Sequence, residues 1–169
     1  MTPSVIPPVI RTPRLLLADT PAEVARELAY AGPGGWRWLD SGPGEGTREM
    51  AGTVARAAEV GWHQPPWGLY VIVRCEDGRA IGSIGFHGPP GVDGVVEIGY
   101  DLVPDARGCG FATEAAVAAT EAAFTDAGVS AVLALTTADN MPSQRVLLRA
   151  GFRFVRLDSD GLHRYRVDR

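Results

Sequence analysis

The sequence predicts an α/β domain of the α+β kind, a mixed sheet with helices packed on it. Three observations point there. The chain has 169 residues, 46% of them apolar and 21% charged, which is the size and balance of one domain with a single buried core. Strand-like and helix-like segments follow one another in the order β-α-α-β-β-β-α-β-α-β-β, with no internal repeat and no compositional break where a second domain would begin. The 21 glycines and 13 prolines fall between apolar segments without a period, so they read as turn punctuation.

The elements are justified in turn. The apolar run 15–18 lies between Pro13 and Pro21 and reads as a strand. Asp19 or Thr20 is placed to cap a helix running to about Tyr30, with Pro21 near its first turn. Segment 31–46 holds six glycines, two prolines, Trp36 and Trp38, and is a long loop of the kind that carries function. A helix follows over 47–60, with Met50, Val54, Ala57 and Ala58 on one face. Strands are predicted at 69–75 and 80–87 around the turn Glu76-Asp77-Gly78-Arg79, and at 95–103 after a turn through Asp93-Gly94. Next come a glycine-bearing loop, 107–110, and an apolar helix, 111–127, closed by Gly128. A strand at 132–136, a short helix at 142–149 stopped by Gly151, and a hairpin of 154–157 with 163–167 around Asp160-Gly161 complete the chain.

Composition excludes several functions. All sixteen cationic side chains are arginine, so no mechanism that needs a phosphate-loop, kinase or Schiff-base lysine is available. A formal charge of −4 argues against nucleic acid as a partner. No stretch approaches the roughly 18 apolar residues of a membrane span. Met1-Thr2-Pro3-Ser4 lacks the basic start and apolar run of a secretory signal. Cys75 and Cys109 form no CxxC pair, so neither a zinc site nor a disulfide framework is indicated, and reduced thiols in a cytoplasmic protein are expected. His63, His87 and His163 are far apart with no His-x-x-His spacing, so no metal is expected. There is no Gly-x-Ser-x-Gly elbow for a hydrolase.

The sharpest local feature is Val103-Pro104-Asp105-Ala106-Arg107-Gly108-Cys109-Gly110-Phe111-Ala112-Thr113. A strand ends, small residues let the backbone approach a ligand, and a helix begins whose first amides are free donors at a partly positive terminus. This is either a phosphate or pyrophosphate cradle or only a tight turn. Walker and dinucleotide fingerprints do not fit it.

Here the chain resembles the GNAT superfamily of acetyl-coenzyme A-dependent N-acyltransferases. Arg107-Gly108-Cys109-Gly110-Phe111-Ala112 matches the family's phosphate loop, Arg/Gln-x-x-Gly-x-Gly/Ala. Glu97-Ile98-Gly99-Tyr100, Asn140-Met141-Pro142-Ser143 and Leu148-Arg149-Ala150-Gly151-Phe152 follow at family spacing. The opening Arg11-Thr12-Pro13-Arg14-Leu15-Leu16-Leu17 is similar to the branch containing ribosomal-protein N-terminal acetyltransferases (Rim-type). The resemblance implies a mostly antiparallel central sheet flanked by helices and splayed between the fourth and fifth predicted strands, with the thioester of acetyl-coenzyme A in the gap.

By that resemblance, backbone groups of Val103 and of Arg107, Gly108, Cys109, Gly110, Phe111, Ala112 and Thr113 would hold the pantetheine arm and pyrophosphate. Asn140 would point at the pantetheine, Ser143 at the sulfur, and Arg145 at a phosphate. An amine attacks a thioester only when neutral, and freeing a lysine-type amine of its proton near pH 7 costs roughly 4–5 kcal/mol, an α-amino group only about 1–1.5 kcal/mol. Glu97 is the first candidate for the base, because the resemblance sets its strand beside the thioester; strand alternation puts it with Gly99 and Asp101 on the face opposite Ile98, Tyr100 and Leu102, so it faces either the cleft or solvent. The leaving thiolate needs a proton; the helix after strand 132–136 lacks the tyrosine many relatives use, which leaves Ser143. The four tryptophans could wall an acceptor pocket or serve local packing. The expected reaction is acetyl transfer to a primary amine, a protein N-terminus or a small molecule, by direct attack in a ternary complex. The alternatives are an idle acyl-coenzyme A binding or sensing module and a nucleotide binder. Edge strands near the C-terminus could support a homodimer.

Overall fold

A computed structural model describes residues 6–169 of the chain; Met1-Thr2-Pro3-Ser4, read above for a leader, lies outside the described residues. The elements are β1 (Val9–Arg11), β2 (Leu15–Asp19), α1 (Ala22–Ala29), α2 (Glu45–Glu59), β3 (Leu69–Arg74), β4 (Arg79–Phe86), β5 (Val95–Leu102), α3 (Phe111–Phe124), β6 (Ala131–Thr137), α4 (Met141–Arg149), β7 (Arg153–Leu157) and β8 (Leu162–Asp168). A 3-10 turn, Pro104–Ala106, separates β5 from the glycine loop. Eight strands form one sheet in the order β1-β2-β3-β4-β5-β6-β8-β7, and every neighbouring pair is antiparallel except β5 with β6. This is the mixed, mostly antiparallel, helix-flanked sheet that the sequence predicts.

The central strands β3 and β4 are buried along nearly their whole length, as continuous apolar runs covered on both faces must be. Helix α3 is buried nearly all round through Ala115, Ala116, Ala119 and Ala123, whose methyl groups let it sit close against the sheet. Strand β7 is exposed throughout and carries Arg153 and Arg156, a charged edge that discourages open-ended pairing.

The parallel pairing of β5 with β6 runs from Val95↔Ala131 to Ile98↔Ala134 and stops there. Beyond that point β5 stays paired with β4 as far as Leu102, and β6 with β8 as far as Thr137. Each diverging strand thus keeps one partner while a gap opens between them. The expected splay is present, between the fifth and sixth strands because β1 adds one to the count.

Four local expectations are corrected. Three residues, Val9–Arg11, are too few for a periodicity signal, yet they pair with β2. Asp19 does not cap α1: it remains in β2 opposite Tyr70, and Pro21 stands at the N-cap without a side-chain bond. Helix α3 ends at Phe124 with Thr125 as its C-cap, whose hydroxyl donates to the Ala122 carbonyl at 2.6 Å, and not at Gly128, whose amide bonds to the Asp126 carboxylate at 2.8 Å. The buried stripe of α2 is Thr47, Ala51, Gly52, Val54 and Ala55, with Ala57 and Ala58 only half-buried, because α2 packs against α1 as well as the sheet.

Candidate active site

The gap between β5 and β6 opens into two clefts that share Tyr100, Asn140 and Ser143. The larger, about 610 Å³, is walled by Met50 and Glu49 of α2, His87 after β4, Gly99 of β5, and Leu135 to Thr137 of β6. The smaller, about 290 Å³, is walled by Asp101 and Leu102, the loop residues Arg107, Gly108 and Gly110, Phe111 and Ala112 of α3, and Pro142 of α4. The two meet where the strand pairing ends.

The smaller cleft is walled by the glycine loop. Gly108 and Gly110 have φ of +76° and +81°, values a side chain would strain, and they turn the chain so that α3 begins facing the cleft. Among the described residues the amides from Gly108 to Thr113 find no acceptor, while the flanking amides of Arg107 and Glu114 bond to the carbonyls of Pro104 and Gly110. A run of unpaired donors at the start of a fourteen-residue helix fits an anionic, phosphate-bearing ligand. Arg107 stands at its mouth, with Nε donating to the Leu102 carbonyl at 2.9 Å and Nη2 3.9 Å from the Asp101 carboxylate. Cys109 is exposed, and its backbone carbonyl accepts from the Arg14 guanidinium at 3.0 Å. Val103 is buried beneath the loop and its amide is committed to the Ile81 carbonyl.

The junction is set by α4. Asn140 is its N-cap: the side-chain oxygen accepts from the Ser143 amide at 3.1 Å. Ser143 therefore sits in the first turn with its hydroxyl toward Tyr100 of β5, whose hydroxyl lies 2.9 Å from Ser143 Oγ and 3.2 Å from the Ser143 carbonyl. Burial pushes the Tyr100 phenol up to about 12, against a smaller opposing effect of the Ser143 hydrogen bond, so Tyr100 is a proton-bearing donor over any ordinary working pH. Arg145 is exposed on α4 and lines neither cleft.

On the far side, Glu97 is half-buried beside the larger cleft, and its Oε1 lies 3.0 Å from Nδ1 of His87. His87 itself lines that cleft. Asp101, on the same strand face as Glu97, is held elsewhere: its Oδ2 accepts from the Thr47 amide at 3.1 Å and so caps α2 from the strand beneath it. None of the four tryptophans lines the larger cleft; Trp38 donates to the Pro33 carbonyl and Trp67 packs edge-on against Phe86, so both serve local packing.

Residues 14–153 match the acetyltransferase (GNAT) domain family, which takes in every element from the start of β2 to the start of β7. The chain belongs to the GNAT acetyltransferase family. Among curated relatives, YoaA of Bacillus subtilis, an uncharacterized N-acetyltransferase, is 36% identical over 86 residues, which cover 51% of this chain and 47% of that protein. The chain thus spans about half the length of the curated relatives it matches. Among solved structures, RimJ of Mycobacterium smegmatis in complex with CoA-disulfide superposes with a TM-score of 0.70 at 18% identity, over 99% of this chain and 90% of that one. An acetyltransferase from Agrobacterium tumefaciens gives a TM-score of 0.68 at 23% identity, covering 96% and 95%.

In this GNAT domain the sequence-predicted residues fall into three groups. Arg107, Gly108, Gly110, Phe111, Ala112, Asn140 and Ser143 line the smaller cleft. Cys109 and Thr113 belong to the same run of amides. Val103 lies below the loop, Arg145 away from it, and Glu97 behind His87. Residue-by-residue reading missed His87 as a cleft residue, weighing it only as a metal ligand. It also missed Tyr100 as the partner of Ser143, and Arg14 as a brace. Their signal was topological: His87 and Glu97 stand at the two ends of one β-hairpin turn. Among the described residues no group of three His, Cys, Asp or Glu side chains could hold a metal, and no helix is long and apolar enough to cross a membrane.

Proposed function

We propose that this domain transfers an acetyl group from acetyl-coenzyme A to a primary amine, either a protein N-terminus or a small-molecule amine, within a ternary complex. The observation that carries the reading is the joining of two unlike clefts at one point: a run of unpaired amides on one side, a carboxylate–imidazole pair on the other, and Ser143 between them. Acetyl-coenzyme A supplies the activated acyl carbon. The amides of 108–113 with Arg107 bind its phosphates by hydrogen bonds and charge, without a lysine. Asn140 fixes α4 so that Ser143 faces the junction. Arg145, exposed two residues further along α4 and lining neither cleft, would meet a phosphate only outside them. The Glu97–His87 pair gives the acceptor side its basicity, and Ser143, backed by Tyr100, offers the proton that the departing sulfur needs.

The test is thiol release from acetyl-coenzyme A against a panel of small primary amines and peptides with free N-termini. Amine-dependent release with a mass gain of one acetyl group on the acceptor is expected. Coenzyme binding without release for any member would leave an acyl-coenzyme A binding module instead.

A further inference from the structure

Within the acetyl-transfer reading, we infer that His87, and not Glu97, is the group that takes the proton from the acceptor amine, and that Glu97 is the residue that positions it. Two hydrogen bonds tie the pair together: the His87 amide donates to the Glu97 carbonyl at 2.9 Å, and the side chains meet at 3.0 Å between Nδ1 and Oε1. The first fixes the backbone of the hairpin, so the second is made on one face of the sheet without a long flexible reach. A carboxylate only accepts hydrogen bonds, so the proton of a neutral imidazole paired with it belongs on Nδ1. Nε2 then holds the free lone pair.

That lone pair has a place to work. A Cβ on Gly99 would stand only 3.0 Å from Nε2 and 3.1 Å from Met50 Cε, so the ring lies over the bare backbone of β5. Gly99 follows Ile98, the last residue of β5 paired with β6, and marks the start of the gap. His87 lines the larger cleft there, whereas Glu97 does not. The other charged groups facing the pair are Glu49 from α2 and Arg164 of β8, which feels the Glu97 charge. In the step, an N–H bond of the acceptor ammonium breaks, its proton passes to Nε2, and the nitrogen lone pair so freed attacks the acyl carbon. The C–S bond then breaks, and the second proton lost by the nitrogen as it becomes an amide goes, through Ser143, to the departing thiolate. The imidazolium later returns its proton to water. Glu97 stabilises that cation and never touches the substrate.

The experiment combines kinetics with a readout that does not need turnover. In thiol-release assays His87→Ala should lower kcat about 100-fold or more, the range of a lost general base, with the KM for acetyl-coenzyme A within about twofold of wild type. Added imidazole should restore part of the rate. Glu97→Gln, which still accepts from Nδ1 but carries no charge, should lose only about 10-fold. In parallel, nitrogen-15 spectra of the histidine-labelled protein above the imidazole titration should show His87 as the Nδ1–H tautomer, assigned by its loss in His87→Ala; only three histidines contribute. An Nε2–H tautomer in wild type overturns the inference, as does a Glu97→Gln loss larger than that of His87→Ala without imidazole rescue, which would make the carboxylate itself the base. The Nδ1–H tautomer in a wild type that turns over no amine would instead sink the acetyl-transfer reading, and the base role with it.

Discussion

Tyr100 and Ser143 meet across 43 positions of sequence, one from a strand and one from a helix, and their hydroxyls share a hydrogen bond at 2.9 Å. Neither group alone is a strong acid, but the phenol is pushed up to about 12 by burial and keeps its proton, while Ser143 stands at the mouth of both clefts. In the proposed transfer Tyr100 keeps its proton and donates a hydrogen bond to Ser143 Oγ, while Ser143 gives its own proton to sulfur and regains one from the attacking nitrogen. Ser143→Ala should therefore lower kcat by about 3- to 10-fold, the worth of a neutral hydrogen bond of about 1 kcal/mol in the transition state. Tyr100→Phe should lower it by a similar factor, and the double variant by little more than either, because both act on one path. Steady-state kinetics with acetyl-coenzyme A saturating would check this; multiplicative losses would show two independent effects.

Among elements, the contact that shapes the cradle comes from the hairpin between β1 and β2. Arg14 donates to Oε2 of Glu114 at 2.7 Å and to the Cys109 carbonyl at 3.0 Å, and its guanidinium lies 4.6 Å from the centre of the Phe111 ring. Thr12 and the Arg14 amide also donate to Glu114. Partial burial works against the Glu114 charge, but these hydrogen bonds together with the Arg14 charge outweigh it and hold the carboxyl below its ordinary value of 4.5. A carboxyl lowered on folding contributes stability that is present above that ordinary value and lost as pH falls through the folded one. The brace should accordingly begin to weaken as pH falls below about 4.5 and be lost only when the folded carboxyl takes up its proton at lower pH. Glu114→Gln should lower stability by about 1–2 kcal/mol at pH 7, discounted for the half-exposed Arg14, and flatten the loss of stability between pH 5 and 3. Urea unfolding at several pH values measures both; an unchanged slope against pH would assign the acid sensitivity to other carboxylates.

At the scale of the molecule, what the sequence made legible was whatever is written in consecutive residues. The glycine loop, the Asn140 start of α4 and the Gly151 stop are local signals of backbone geometry, and they stand where they were read. What stayed hidden depends on register. His87 meets Glu97 only because β4 and β5 pair with Phe86 opposite Ile98, and Asp101 caps α2 only because the sheet lies beneath that helix. The cleft is likewise a property of the whole sheet, since β5 and β6 part while each keeps its outer partner. A ligand spanning both clefts would touch α3, α4 and both strands at once, and so link two halves of the sheet that otherwise share four residue pairs. Its binding energy should therefore appear as global stability. Acetyl-coenzyme A at 100 times its Kd should add about 2.7 kcal/mol and raise Tm by roughly 5–10 °C. ATP and NAD at the same concentration should raise Tm by less than about 2 °C, because the phosphates alone occupy the cradle without reaching Ser143. Arg107→Ala should reduce the acetyl-coenzyme A shift while leaving the unliganded Tm within about 1 °C, since its side chain is 62% exposed. Equal shifts from all three ligands would mean that the cradle reads phosphate only, and that the gap between β5 and β6 takes no part in binding.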